Sequence, residues 1–400
     1  MDRERDIFWI WFSSFPFLRL RTRMELLSSF NGPEGVFSAG EAMLRKIRGI
    51  SDEYAVVLSR AGFERADSII GACEKQNIDI ISIDDPRYPF RLKNIYAPPS
   101  VLYVKGKIPD LDKHAVISVI GTRKASQYGL RMGKRIAYEI VRCGAYAVSL
   151  LTPGVDRAVA EGALLAGDRC IGVLGTSHEQ EHSSLADEIV EKGALISEYP
   201  PGSLQNRSFF RDRNRVAAGI SLGAVVVEAP EKSGTRYFVN EALDQGKDVF
   251  AVPGNADSDN SIGTLELMKM GARPVASGWD VLSEYTAAFP ELHFSSDRLE
   301  DALSLKEGTE NTASDGYGKR ETGTGSSSGS EWIRKTANLT DDQSVLVGLI
   351  RKGVSVIDDL IEKSGLPANK VLSSMTILEI KGIIVRDMSG KIELNKHFDE

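Results

Sequence analysis

Cysteine is scarce in this 400-residue chain, with Cys73, Cys143 and Cys170 standing singly and no CxxC anywhere. That spacing indicates neither a disulfide framework nor a zinc site, and it fits a reducing cytoplasm. Histidine is little more common, at five residues. Only His178 and His182, beside Glu179 and Glu181, gather in a way that a metal would use. A solvated polar loop accounts for them as well, and no metal or cofactor is expected. No Ser/His/Asp arrangement is evident. There is no GxxxxGK[ST], which leaves a P-loop unsupported, and no GxGxxG after the first strand of the β/α region, which weakens a dinucleotide reading. Basic charge is outnumbered, 49 Lys and Arg against 56 Asp and Glu, for a net charge of −7. A general nucleic-acid coat is therefore excluded, and any such site must be a local patch. The apolar stretch from Asp6 to Leu20 is too short to span a bilayer. Acids and arginines precede it and no small-residue cleavage site follows, so it reads as a core helix and no membrane partner is expected.

What is present is an ordinary globular composition, 42% hydrophobic and 26% charged, with length for two or three domains. Against it stands the tract Arg207-Ser208-Phe209-Phe210-Arg211-Asp212-Arg213-Asn214-Arg215. Arginine forks match phosphate oxygens and aromatic faces stack on unpaired bases, which suggests a single-strand site. A solvated basic turn before a helix is the competing reading.

Helical spacing over Met24–Phe30, Ala42–Ile50 and Glu53–Ala61 predicts a small helical, SAM-like bundle for residues 1–75. Residues 76–112 form an ordered connector with strands at Asp79–Ile83 and within Ala97–Gly106. From 113 to 290, apolar strands at Ala115–Ile120, Tyr146–Leu150, Cys170–Leu174, Ala194–Glu198, Gly223–Glu228 and Asp248–Val252 alternate with helices. This predicts an α/β, Rossmann-like, doubly wound and mostly parallel sheet. Residues 291–335 contain a Gly/Ser/Thr-rich stretch that predicts a flexible linker. Three helices and a hairpin turned at Ser389-Gly390 then predict a winged helix over 336–400.

Ligands of a doubly wound sheet bind outside the carboxyl ends of its strands. Gly121-Thr122-Arg123 follows the first strand of the core, and the arginine tract follows the fourth. Glu228 to Thr235 follows the fifth, with Lys232, Ser233 and a helix start as a second anion seat.

These residues, taken in order, resemble a known family. Ile120-Gly121-Thr122-Arg123-Lys124-Ala125-Ser126, Ser197-Glu198-Tyr199-Pro200-Pro201-Gly202, Arg213-Asn214-Arg215, Glu228 to Thr235 and Phe250-Ala251-Val252-Pro253-Gly254 are similar to motifs of the DNA-processing protein A (DprA/Smf) family. The resemblance implies a non-enzymatic protein that binds single-stranded DNA in a basic pocket of the Rossmann domain. It also implies loading of RecA recombinase during natural transformation, and a homodimer. By the same resemblance the pocket comprises Gly121, Thr122, Arg123, Arg213, Asn214, Arg215, Lys232, Ser233 and Gly234. Arg123, Arg213, Arg215 and Lys232 are the expected phosphate ligands. Phe210 either stacks on a base or packs under the loop, and Arg211 adds a charge where the family has proline.

The chain departs from the family pattern at Leu150, Pro153, Ala160 and Leu265, where glycine, arginine, histidine and asparagine are usual, so one wall of the pocket is altered. The winged helix has an acidic second helix (Asp358, Asp359, Glu362) and only Lys370 and Lys381 on its third, which points to a protein contact rather than duplex DNA. Two other functions stay open. One is a nucleotide sensor or nucleoside-phosphate hydrolase built on Gly234-Thr235 with Glu241. The other is a degenerate scaffold that keeps only partner binding, and within the family the departures also allow a divergent paralogue without the transformation role.

Overall fold

The computed structural model describes residues 3–15, 17–203, 209–300, 302, 341–352, 354–380, 383–386 and 391–394. The chain divides into two compact units, Met1–Ser314 and Asp315–Glu400.

The first unit opens with helices α1 (Arg3–Ser13), α2 (Leu20–Phe30), α3 (Pro33–Ser38), α4 (Glu41–Leu44), α5 (Asp52–Arg60) and α6 (Glu64–Lys75). Local chemistry sets several of these boundaries. Gly32, at φ 113°, breaks the chain, and Pro33 then occupies the first position of α3, where its missing N–H costs nothing. The Ser51 hydroxyl caps α5 by accepting from the Tyr54 amide. The helix expected over Ala42–Ile50 shrinks to the single turn of α4, because turns take over after Leu44.

Strand β1 (Asp79–Ser82), helix α7 (Phe90–Lys93) and strand β2 (Val101–Gly106) follow. Next come β3 (Val116–Ile120), α8 (Gln127–Arg142), β4 (Tyr146–Ser149), α9 (Val155–Ala166), β5 (Cys170–Leu174), α10 (Ser184–Lys192) and β6 (Ala194–Ser197). The unit continues with α11 (Phe209–Ile220), β7 (Gly223–Val226), α12 (Thr235–Asp244), β8 (Asp248–Ala251), α13 (Ile262–Lys269), β9 (Arg273–Pro274) and α14 (Gly278–Leu282). All nine strands join one sheet in the order β1-β2-β6-β5-β4-β3-β7-β8-β9. Every pairing from β6 to β9 is parallel, while β1–β2 and β2–β6 are antiparallel.

The mostly parallel doubly wound sheet is thus observed, each of its six core strands within two residues of its expected end. The sheet is wider than expected. The strands at 79–106 extend it by two, and the short β9, with Pro274 at its end, closes the other edge, where no further ladder is needed. Strand β2 serves two cores through its period-two alternation. Leu102 and Val104 pack with α7, α11 and α12, while Val101 and Tyr103 pack with Ile80 against the amino-terminal helices. The helical bundle and the sheet edge therefore share one apolar core. On the opposite face α8, α9 and α10 cover the sheet around Ile117, Val119 and Val159.

Chain order turns back after β6, and β7 pairs with β3 on the side away from β4. The β3–β7 boundary is the switch point at which open α/β sheets form a crevice. Among the described residues the second unit has helices Asp341–Arg351, Ile357–Ser364 and Ala368–Ile380 and a hairpin pairing Ile384–Arg386 with Ile392–Leu394, around Leu346, Leu360, Val371 and Leu378. The turn expected at Ser389-Gly390, and the linker expected over 291–335 from residue 303 onward, lie outside the described residues.

Candidate functional site

The β3–β7 register pairs Ile120 with Val226 and brings Gly121 beside Glu228. The Thr122 amide donates to the Glu228 carbonyl at 2.8 Å. Gly121 is required by packing, since a Cβ there would lie 2.6 Å from the Val155 side chain at the start of α9. The Glu228 carboxylate, 3% exposed, accepts from the Ser126 amide (3.0 Å), the Ser126 hydroxyl (2.5 Å) and the Asn260 amide group (3.2 Å). It fastens three loops together and has little acceptor capacity left for a ligand. The loops so fixed border a cleft of about 990 Å³.

Of the eleven residues expected at the site, ten line this cleft: Gly121, Thr122, Arg123, Phe210, Arg211, Arg213, Asn214, Lys232, Ser233 and Gly234. Arg123 and Lys232 are exposed and form no described ion pair. Arg211 is exposed too, with its guanidinium 4.5 Å from the centre of the Tyr237 ring. Phe210 packs under the loop and also faces the cleft. Its ring rests on Gly175, where a Cβ would come within 2.9 Å, beneath the guanidinium groups of Arg123 (6.0 Å) and Arg213 (5.6 Å). The Ser233 hydroxyl is already engaged: it accepts from the Thr235 amide (3.2 Å) and donates to the Thr235 hydroxyl (2.8 Å). Its contribution is to shape the start of α12, whose first turn carries no acid.

Arg213 is 5% exposed and donates through Nη1 to the Leu150 carbonyl (3.1 Å) and through Nη2 to Asn214 (3.3 Å). Its Nε has no partner among the described residues. Burial lowers its pKa to about 10, against the opposing pull of Asp156. Asp156, 3% exposed, lines the same cleft and accepts from the Gly121 amide (3.3 Å) and the Thr152 hydroxyl. Burial pushes its carboxyl up to about 6, although the Thr152 hydrogen bond and Arg213 favour the charged form.

Arg215 is a correction. It was expected as a phosphate ligand, but it is 4% exposed and does not line the cleft. Its guanidinium pairs with Glu198 at 2.5 Å and donates to the Ala97 carbonyl. The reason is packing: one turn beyond Arg211, Arg215 lies where α11 meets the sheet edge, and Glu198 and the Ala97 carbonyl take up its guanidinium. Arg207 and Ser208 lie outside the described residues.

Of the departures from the family pattern, only Leu150 reaches the cleft. Ala160 is buried in the sheet core, Pro153 is exposed, and Leu265 is half-buried on α13. Glu241, the acid of the nucleotide-hydrolase reading, does not line the cleft. Lys124, Asp156, Tyr237 and Asn260 do line it and were not among the expected residues. Lys124 had a signal, standing next to Arg123. Asp156 resembled an ordinary first-turn acid of a helix, and Tyr237 and Asn260 carried no local signal.

Comparison with known proteins identifies similar chains. The model of the family described as DNA recombination-mediator protein A matches residues 79–286, and the DprA winged helix domain model matches residues 334–389. The DNA processing protein DprA of Bacillus subtilis is 36% identical over 226 residues, covering 56% of this chain and 76% of that protein. Protein Smf of Escherichia coli is 29% identical over 335 residues, covering 81% of this chain and 79% of its own. The X-ray structure of DNA processing protein A from Streptococcus pneumoniae superposes with a TM-score of 0.59 at 28% identity, covering 72% of this chain and 98% of that one.

Proposed function

The chain belongs to the DNA recombination-mediator protein A (DprA/Smf) family, and on that premise we propose that its β3–β7 cleft binds single-stranded DNA and presents it to a RecA-type recombinase. One observation carries the reading. Arg123, Arg211, Arg213 and Lys232 converge on one cleft beside Phe210 and Tyr237, in a chain whose net charge is −7. Guanidinium and ammonium groups bind the phosphates, and the part-exposed rings meet unstacked bases, which a duplex does not offer. The role needs no catalytic step. A homodimer, a cytoplasmic location and delivery of incoming DNA during natural transformation belong to the same reading; among the described residues no helix is long and apolar enough to cross a membrane. The winged helix fits a protein contact better than duplex DNA, since Lys370 on its third helix faces Asp342 at 3.4 Å.

A salt titration with oligo-dT against a duplex of equal length tests the proposal. Single strand should bind more tightly, and about four phosphate contacts should give a log–log salt slope near −3. Equal affinity for duplex, or a flat salt response, would refute it.

The cleft also carries a pH dependence. Asp156 is neutral in the folded protein below its pKa of about 6, where an unfolded carboxyl titrates near 3.8. Its raised pKa means that stability declines between about pH 4 and 6, as the unfolded chain ionises before the folded one. Above pH 6 the buried carboxylate offsets one cation of the cleft. Oligo-dT affinity should therefore fall about five-fold, close to 1 kcal/mol, between about pH 5 and 7. Asp156→Asn should abolish that trend; a trend that persists in this variant assigns it to another group.

A further inference from the structure

A second cleft, of about 1060 Å³, lies on the other face of α11, between the sheet and the amino-terminal helices. The first turn of α11 divides the two. Phe210, Arg213 and Asn214 face the β3–β7 cleft, whereas Phe209 and Asp212 face this one. Helical spacing explains the division, since residues three and four apart share a face.

The second cleft has its own chemistry. Arg19 and Arg21 at the start of α2, with Arg65 on α6, line it; all three are exposed and pair with no carboxylate among the described residues. Arg23 also lines it, but its guanidinium is taken up by the carbonyls of Leu18 (3.0 Å), Phe15 (2.9 Å) and Ser13 (3.3 Å). On the sheet side Tyr199 and Phe209 stack with centroids 3.7 Å apart at 15°, and both rings are part-exposed. Two acids are present and neither dominates the field. Glu198 is held by Arg215, and Asp212 accepts from the Tyr199 hydroxyl at 3.1 Å, with its carboxyl raised by burial and then by Glu198. Arginines without an ion-pair partner among the described residues, in one cleft with a stacked aromatic pair, suit phosphate and base together.

We propose that this cleft is a second nucleotide subsite, which takes the continuation of a single strand seated in the β3–β7 cleft. The proposal rests on the function assigned above for the strand's presence. The crossing is short. A helix is about 10 Å across, which about three nucleotides span even at the 3.4 Å rise of a duplex strand. The amino-terminal helices thereby gain a role in binding through Arg19, Arg21 and Arg65.

Strand length separates the two sites. Oligo-dT of about five nucleotides occupies one cleft, and about 20 nucleotides can reach both. The triple variant Arg19→Ala, Arg21→Ala, Arg65→Ala, in exposed positions of the full chain, should bind the short strand like wild type. It should lose about ten- to 100-fold in affinity for the long one, with a salt slope shallower by about 2 for three lost phosphate contacts. Wild-type affinity of this variant for the long strand would overturn the proposal. Photocrosslinking with 5-iodouracil in the long strand gives an independent readout. Adducts at Tyr199 or Phe209 support the subsite, and adducts confined to Phe210 and Tyr237 refute it. Failure of wild type to bind the short strand would count against the first cleft alone, because the long strand still judges the second.

Discussion

Reversing the charge at Arg123 and Lys232 together should lower oligo-dT affinity by about 100-fold or more. Each reversal removes a charge-assisted contact of about 1.5–3 kcal/mol and adds repulsion, and about 2.7 kcal/mol is already 100-fold. These two positions are chosen because both are exposed and form no ion pair among the described residues. The variant should unfold at the same denaturant midpoint as wild type, so the loss reports on binding alone. Arg213 is a poorer probe despite its central place. Its guanidinium, 5% exposed, supports the Leu150 carbonyl and neighbours Asp156, so its reversal would bury an unpaired carboxylate and confuse folding with binding. Filter or anisotropy binding at fixed salt decides the matter. Unchanged affinity in the Arg123→Glu, Lys232→Glu variant would remove the β3–β7 cleft from any account of DNA binding.

The contrast between these arginines shows where the sequence is legible and where it is not. Strands such as Val116–Ile120 and Cys170–Leu174 are buried at every position, so their apolar runs mark them and imply a sheet covered on both faces. The loops at their carboxyl ends follow from that topology, which is why ten of eleven expected site residues meet in one cleft. The orientation of each arginine is a different matter. In Arg211-Asp212-Arg213-Asn214-Arg215 the charges look equivalent along the chain. Once α11 forms, Arg211 stays exposed at the rim of the cleft over Tyr237, Arg213 is buried in its wall, and Arg215 turns toward Glu198 at the end of β6. Only the packing of α11 against the sheet distinguishes them. The widening of the sheet was obscured for a related reason. Val101–Val104 reads as a short apolar run, and nothing in it shows that its two faces serve two cores. Asp156 was hidden because burial, a tertiary property, is what raises its carboxyl.

Arg215→Ala should cost about 3–5 kcal/mol of stability, the usual penalty for removing one partner of a buried ion pair. The guanidinium is 4% exposed and holds Glu198 at 2.5 Å together with the Ala97 carbonyl, so its loss strands an acid and an acceptor at once. Asp212 makes the deficit depend on pH. Its carboxyl is raised by burial and then by the Glu198 charge, while Arg215 opposes that shift. Without Arg215 the two carboxylates lose their hydrogen-bonded counter-charge and keep only the weaker field of Arg23, and a folded carboxyl raised further loses stability as pH climbs above the unfolded carboxylate range. The gap between wild type and variant should therefore be widest near neutrality and should narrow as pH falls toward about 4, where protonation removes the repulsion. Urea unfolding across that range measures both the size and the trend. A second substitution, Glu198→Gln, should restore part of the loss by removing the stranded charge. An Arg215→Ala protein that unfolds like wild type yet binds oligo-dT weakly would reverse the assignment, because it would make Arg215 a DNA ligand and not the buried tie between α11 and β6.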